Sequence, residues 1–458
     1  MNAAEALELS KPFYSGFSPD VIPYQRELFD LVDEFDYSSG TLEILLSGSF
    51  GSAKSIAMAH LVVRHCVENA GACVAICRRG LPDLKKTIWL EILSHMGEDF
   101  EEKRDYEINR AEMTLTFRNG SQVICCTWAD KRYKKFRSLK LSMLVFEEID
   151  DTDDEDQEAF KQLKARLRRI PHVRECLLIA ASNPDAPGHW VYKHFIEGSR
   201  KFHNRFVLYS KTEDNPFLDQ IYIQELRRDM SPKEARRYLD GEWIEISGEV
   251  IYSEYSSDVQ YLRNDAYEIN QRHPVVITYD FNIAENKPMS ALMLQYIGDV
   301  FHVFAEVIID GGRTVDTIDE FSDRGLLNPN FRYTLCGDAA GKHRDTRSLR
   351  SDYDIILSEL RNRNLVVAYH VPPSNPALRL RHNRVNAYCL NALGERRLYL
   401  YRNCATIDEG LRLTKLKPGA NYVEDDSKRF QHCTTALGYA VVTLSNSTMV
   451  KPQGTVQL

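Results

Sequence analysis

The passage that most constrains this chain is residues 41–55, TLEILLSGSFGSAKS, because it dictates both a local fold and a chemistry. An apolar run that would pair as a buried strand meets a Gly/Ser turn, and the turn opens onto the helical pattern IAMAHLVVRHCVENA. A further apolar run, CVAICRR, follows. Strand, tight turn, long helix and strand in that order begin a phosphate-binding α/β layer. Gly48-Ser49-Phe50-Gly51-Ser52-Ala53-Lys54-Ser55 fits GxxxxGK[ST] except that alanine stands where the last glycine is expected. Small residues let consecutive N–H groups face phosphate oxygens, lysine neutralises the β- and γ-phosphates, and the hydroxyl ligates Mg²⁺. Ala53 weakens the pattern only slightly if its φ is negative, and that is the expectation.

An ATP-hydrolysing site also needs an acidic element and a γ-phosphate sensor. Met143 to Phe146 form an apolar run that ends in Glu147-Glu148. A carboxylate pair at the end of a buried strand is costly unless it faces a metal site. Glu147 is therefore assigned to Mg²⁺ and Glu148 to activation of water. The acidic run from Asp150 to Glu158 reads as a solvated helix start. Ser182 and Asn183 end the apolar run ECLLIAASNP, where small polar groups sense a γ-phosphate. Arg78 and Arg79 end the second strand; either a cis-acting arginine finger, with Arg79 the candidate, or a surface charge pair accounts for them. Lys131, Arg132, Lys134, Lys135, Arg137 and Lys140 form a basic run that either touches DNA phosphates or is a solvated face.

At 458 residues the chain has length for two or three domains. Strand-like runs MTLTF, SQVICCTW, SMLVFEE and ECLLIAASNP predict a mostly parallel sheet, and residues 185–245 read as a helical closing subdomain. A second strand-rich block starts at PVVITYDFN, with three adjacent antiparallel runs and then strands alternating with helices. The expected division is 1–245, a linker at 246–270, a second domain at 271–445 and a loose tail at 446–458. With 58 basic and 66 acidic residues the net charge is −8, so any DNA contact must be local. Ten scattered cysteines read as free core thiols. No signal segment and no apolar run of about 20 residues is present, so a soluble cytoplasmic chain is expected.

In the second block, Asp280 ends VVITYD and Asp338 ends YTLCGD. Two-metal cleavage of a phosphodiester needs acidic or imidazole ligands converging from different strands, with cations ~3.5–4 Å apart. Carboxylates at two core strand ends suit that demand. Glu306 either points into the same cleft or sits at the core edge. Lys342, Arg344, Arg347 and Arg350 either steer a scissile strand or form a solvated face.

Over residues 20–445 the chain resembles the large terminase subunit of tailed bacteriophages, through GSFGSAKS, VFEE, SNP and DNPFLDQIYIQELRRDMSPKEARRYLDGEW. The resemblance implies an N-terminal ASCE-type P-loop ATPase and an RNase H-like α/β nuclease. It implies Tyr24-Gln25 as an adenine-contacting motif and Ser182-Asn183 as the segment coupling hydrolysis to movement. Where many relatives read HxxDALxY, His432-Cys433-Thr434-Thr435-Ala436-Leu437-Gly438-Tyr439 has threonine at the aspartate position. The third nuclease ligand is then His432, or an acid from Asp425-Asp426, with Asp426 the stronger of that pair. ATP and Mg²⁺, with Mn²⁺ as an alternative in the nuclease, are the implied cofactors. Implied partners are double-stranded DNA, a portal protein and a small terminase subunit, with a ring of subunits on the portal and a monomer in isolation. Two other readings stay open: a helicase-like or recombination ATPase whose C-terminal half binds DNA without cutting it, and an assembly protein with a decayed nucleotide fold.

Overall fold

The computed structural model describes residues 17–128, 139–152, 156–244, 250–282, 287–344, 350–417 and 422–447. Lys131, Arg132, Lys134, Lys135, Arg137 and Arg347 lie outside them, as do residues 448–458 of the expected tail. The chain divides into two compact units, Met1–Ile223 with Arg236–Glu245, and Gln224–Ala235 with Ile246–Leu458. Both are α/β.

The first unit holds β1 (Leu42–Gly48), β2 (Cys73–Arg78), β3 (Tyr106–Asn109), β4 (Thr114–Phe117), β5 (Gln122–Thr127), β6 (Met143–Phe146), β7 (Leu177–Ser182) and β8 (Arg205–Ser210). They form one sheet in the order β3-β4-β5-β2-β6-β7-β1-β8. From β5 to β8 neighbouring strands run parallel, and β3 and β4 add an antiparallel edge. β1, β6 and β7 are buried along their whole length, as expected of strands covered on both faces. Their side chains alternate between two cores. Ile44, Val145 and Ile179 join helix α1 (Pro23–Glu34) and helix α2 (Lys54–Glu68) on one face, while Leu45, Leu144 and Leu178 pack with Phe160 and Trp190 on the other.

β8 corrects the sequence reading, which treats residues 185–245 as helical. RFVLYS pairs with β1 from Glu43↔Arg205 to Gly48↔Ser210. Arg205 and the exposed Tyr209 interrupt the apolar run, as suits an edge strand, and hide its period. The practical result is that the chain after β8 returns directly beside the glycine-rich turn.

The second unit holds β9 (Tyr261–Leu262), β10 (Val275–Asp280), β11 (Met289–Ile297), β12 (Val300–Ile309), β13 (Arg332–Gly337), β14 (Val366–Tyr369) and β15 (Leu398–Tyr401), ordered β14-β13-β10-β11-β12-β15-β9. β10, β11 and β12 are antiparallel; β13 runs parallel to β10 and β15 parallel to β12. β9 belongs to this sheet although it falls within the stretch read as a linker. Its two residues are too few to show a period. Three helices matter for the site: α3 (Leu378–Cys389), α4 (Ala405–Leu413) and α5 (Gln431–Ser447). α5 lies on the face that carries Val276 and Leu292, through Cys433, Ala436, Leu437 and Ala440. Thr278 Oγ1 donates to the Ala436 carbonyl at 2.8 Å, which fixes α5 against β10.

Candidate active sites

The glycine-rich turn leaves β1 between two neighbours, β7 and β8, and its backbone is held from several sides. Tyr24 OH donates to Ser52 O at 2.9 Å, and Gln25 Nε2 to Ala53 O at 3.2 Å. Beyond β8, Thr212 Oγ1 donates to Phe50 O at 2.8 Å and Asn215 Nδ2 to Gly51 O at 2.6 Å. The Phe50 ring stacks on Tyr238 at 4.9 Å. Gly51 has φ +70°, and a Cβ there would lie 2.9 Å from Leu218. Ala53 has φ +61°, contrary to the negative value expected from sequence. A left-handed alanine costs about 1–2 kcal/mol, so the surrounding bonds hold the turn in a shape its own residue resists.

Four strand ends then converge. Lys54 Nζ donates to Gly48 O at 2.7 Å, Ser49 O at 2.9 Å and Asn183 Oδ1 at 3.2 Å. Ser55 Oγ donates to Glu147 Oε1 at 3.0 Å. Arg78 Nη1 donates to Glu147 Oε2 at 2.9 Å, and its other amino group donates to Glu148. Burial pulls the Lys54 ammonium down to about 8, against the attraction of Asp150 and Glu148. Burial raises Glu148, with Asp150, Glu147 and Asp151 adding to the rise and Arg78 opposing it. Glu148 also has φ +49°, a second strained residue at this site.

In the second unit Asp280 and Asp338 stand at the ends of adjacent parallel strands. Tyr279 pairs with Gly337, and Asp338 N donates to Tyr279 O at 3.0 Å. Gly337 has φ +129°, and a Cβ there would meet the Tyr279 backbone at 2.6 Å, so only glycine lets the ends of β10 and β13 pack this closely beside the two aspartates. His432 Nδ1 lies 2.9 Å from Asp280 Oδ2, and Asn282 Nδ2 donates to the same oxygen at 2.7 Å. Asn375 Nδ2 donates to Asp338 Oδ1 at 2.7 Å. Burial raises Asp280, with the Asp338 charge in the same sense; the His432 hydrogen bond and charge, and the Arg381 charge, oppose it. His432 Nε2 is buried with no hydrogen-bond partner. Among the described residues no group of three or more His, Cys, Asp and Glu side chains forms a metal-binding cluster.

Residues 41–242 match the family described as phage terminase large subunit. The match falls within the first unit except for Gln224–Ala235. No curated protein matches it. Among solved structures, the large terminase of a thermophilic bacteriophage is similar at 14% identity, with a TM-score of 0.59, covering 95% of this chain and 100% of that one. The same bacteriophage protein in complex with ADP gives 0.58 at 14% identity, over 93% and 99% of the two chains. Its complex with ATP-gamma-S gives 0.56 at 15%, over 93% and 99%. At such identities the likeness is one of fold, and it extends through both α/β units.

The structure brings together Gly48 to Ser55, Gln25, Glu147, Glu148 and Asn183 at one site, and Asp280, Asp338 and His432 at another. Ser182 is buried, its Oγ bonded to Asn183 O at 2.8 Å. Arg79 pairs with Asp151 at 3.0 Å, both side chains about half exposed, whereas Arg78 is the arginine at the carboxylates. Asp426 stands apart from Asp280 and Asp338: Lys287 and Lys417 both pair with it, the latter at 2.7 Å, and these bonds depress its carboxyl. Asp425 is half-buried and accepts from Ser427 N at 3.1 Å. Glu306 points away to the start of α4, accepting from Thr406 N and Ile407 N at 2.8 Å. Lys342 is half-buried and donates to Val371 O and Pro372 O, whereas Arg344 and Arg350 are exposed, Arg350 donating to Asp354 O.

Several residues at these sites escape sequence reasoning. Asp150 is not part of a solvated helix start: its Oδ1 accepts from Asn183 N at 3.0 Å and burial raises its carboxyl. Thr87 Oγ1 donates to Glu147 Oε2 at 2.5 Å. Arg381 on α3 lies over the Tyr439 ring at 4.8 Å and pairs with buried Glu424 at 3.1 Å. None of these has a local motif. The one available signal was Asp150 itself, adjacent to a buried strand end and two residues from Glu148.

Proposed function

We propose that this chain is a DNA-packaging motor subunit, an ATPase in its first unit and a metal-dependent endonuclease in its second. The observation that carries the reading is the convergence of Lys54 and Ser55 from the start of α2 with Glu147 and Asn183 from the ends of β6 and β7 at one turn. The thermophilic bacteriophage terminase, similar in fold, has been solved with ADP and with ATP-gamma-S. In this reading the turn and Lys54 bind the β- and γ-phosphates, and Ser55 with Glu147 would hold Mg²⁺. A hydroxyl and a carboxylate oxygen 3.0 Å apart are a suitable donor pair. Glu148 positions water, and Asn183, tied to both Lys54 and Asp150, carries the change outward from β7.

In the second unit Asp280 and Asp338 would hold Mg²⁺ or Mn²⁺, and His432, with a buried unpartnered Nε2, is the best-placed third donor. The bound metal supplies an activated water and charge neutralisation at the scissile phosphate. Asn282 and Asn375 orient the two carboxylates. Arg381 offsets part of their mutual repulsion. The cognate polymer in this reading is double-stranded DNA, with a portal protein and a small terminase subunit as partners, a portal ring as the working assembly and the host cytoplasm as its place. Among the described residues no helix is long and apolar enough to cross a membrane.

The test separates the two units. Lys54→Ala should abolish phosphate release from ATP while leaving metal-dependent cutting of plasmid DNA. ATP hydrolysis at the normal rate by that variant would overturn the first-unit assignment. Plasmid cutting unaffected by both Asp280→Ala and Asp338→Ala would instead favour a motor whose second unit binds DNA without cleaving it.

A further inference from the structure

We propose that the site of the second unit holds one divalent cation rather than two, and that Arg381 supplies the positive charge a second cation would bring. The inference rests on the nuclease reading of that unit and adds a metal count and a residue to it. Two cations ~3.5–4 Å apart need several carboxylate oxygens turned toward them, and Asp280 and Asp338 have few to offer. Asp280 Oδ2 faces His432 Nδ1 at 2.9 Å and accepts from Asn282 Nδ2 at 2.7 Å. Asp338 Oδ1 accepts from Ala340 N at 2.8 Å and from Asn375 Nδ2 at 2.7 Å. A carboxylate oxygen has two lone-pair directions, so both of these oxygens are occupied. Among the described residues these bonds leave one oxygen of each aspartate to face a cation.

The other acids of the unit are committed elsewhere. Thr435 stands at the position where an aspartate was expected, and its hydroxyl accepts from Gln431 Nε2 at 2.8 Å. Asp426 is bonded by two lysines, Glu306 by the start of α4, and Glu424 by Arg381. Two carboxylate oxygens and the unpartnered His432 Nε2 suit a single Mg²⁺ that keeps part of its water shell, and fall short of a pair.

Arg381 is placed to make up the charge. It is 6% exposed, its guanidinium lies 4.8 Å over the Tyr439 ring, and Nη2 donates to Glu424 Oε2 at 3.1 Å. Its Nε is buried with no hydrogen-bond partner. The stem crosses α5 at Gly438, where a Cβ would lie 2.6 Å from Arg381 Cδ. Glycine inside a helix weakens it, so α5 gives up stability at the one point where the arginine passes. Tyr439 feels the charges of Arg381, Asp338 and Asp280 together, and Asp280 feels that of Arg381. A guanidinium keeps its proton at any working pH. A fixed cation in a dry site stabilises charge developing on a phosphate without a ligand set of its own.

Mn²⁺ binding to the full chain without nucleotide counts the cations. Titration followed by EPR would be run with and without a DNA duplex whose phosphorothioate linkages resist cutting. Wild type should bind one Mn²⁺ more than the Asp280→Ala, Asp338→Ala double variant, with the spectrum of an isolated ion. Arg381→Met should tighten that ion at least about threefold, since a positive neighbour is gone, whereas Arg381→Lys should bind it within about twofold of wild type. Arg381→Met should also lower plasmid cutting at least about tenfold at saturating Mn²⁺. Arg381→Met combined with Glu424→Gln leaves neither charge buried alone and should show the same tightening and the same loss, which separates the charge from a folding defect. Two additional Mn²⁺, or the exchange-coupled spectrum of a pair, would overturn the proposal. So would Mn²⁺ affinity unchanged or weakened in that combined variant, or cutting at the wild-type rate by it. Wild type that binds no more Mn²⁺ than the double-alanine variant would overturn the nuclease reading itself, and this proposal with it.

Discussion

In the proposed reading the glycine-rich turn and the strand-end carboxylates solve the same problem, gathering charge around a phosphate, by opposite means. In the first unit most of the work falls to backbone in a single turn, and neighbouring segments hold that backbone from outside: Tyr24 and Gln25 from α1, Thr212 and Asn215 from beyond β8. In the second unit Gly337 is the one backbone position the site demands, and the proposed chemistry falls to three side chains from β10, the end of β13 and α5. One site is a shape braced by hydrogen bonds. The other is a set of charges that repel one another and depend on asparagine, histidine and arginine to be tolerated.

That contrast predicts how each site fails. The largest effect should come from the charge-built site. Asp280→Ala or Asp338→Ala should lower DNA cutting at least ~100-fold, more than loss of an outer-shell partner costs a metal site, with ATP hydrolysis within twofold of wild type. His432→Ala should cost nearly as much, whereas Asp426→Ala, which removes partly exposed lysine pairs, should change cutting little and stability by ~0–1 kcal/mol. Equal losses from His432→Ala and Asp426→Ala in a plasmid-nicking assay would erase the distinction drawn between them. Asp280→Asn should also raise the melting temperature, by about 2–4 °C if relief of carboxylate burial is worth ~1 kcal/mol, because the charged form is disfavoured at Asp280 in the folded chain.

The shape-built site has a pH signature of its own. Lys54 falls to about 8 in the folded chain from an ordinary value of 10.5. Between those values the unfolded chain binds the proton and the folded chain does not, so this lysine makes stability rise with pH across that window. The slope it adds is at most about 1.4 kcal/mol per pH unit. Urea unfolding of wild type and Lys54→Met at pH 8 to 10 should show the slope only in wild type. The smallest expected effect is at Ala53: glycine there should remove the left-handed strain and stabilise by up to about 1 kcal/mol. A destabilised Ala53→Gly would mean that the methyl packs to advantage.

The same contrast explains what could be read without a structure. A turn that binds phosphate through its own backbone must be contiguous, so GSFGSAKS announces itself, as do apolar runs ending in Glu147 or Asn183. Asp280 and Asp338 were legible for the related reason that each ends a core strand. Their companions were not. Arg78 and Arg79 are equivalent as text, and only the register of β2 on β6 sends Arg78 to the carboxylates. Asp425 and Asp426 look like metal ligands until Lys287, far away in sequence, is seen to claim one of them. β8 was hidden because an edge strand carries charge where a central one cannot, and the sign of φ at Ala53 depends on bonds made by Tyr24 and Gln25 nearly thirty positions earlier.

Those two bonds from α1 give the start of the chain a meaning that its position does not suggest. Tyr24 and Gln25 are buried beneath the turn, and they grip it through carbonyls rather than through any group that faces a ligand. Damage there would not mimic an unfolded N-terminus. A truncation ending before Leu42, or the pair Tyr24→Phe and Gln25→Ala, would leave Lys54 and Ser55 in place and still present as a lesion of the P-loop, so a kinetic defect at this site need not have its cause within the motif.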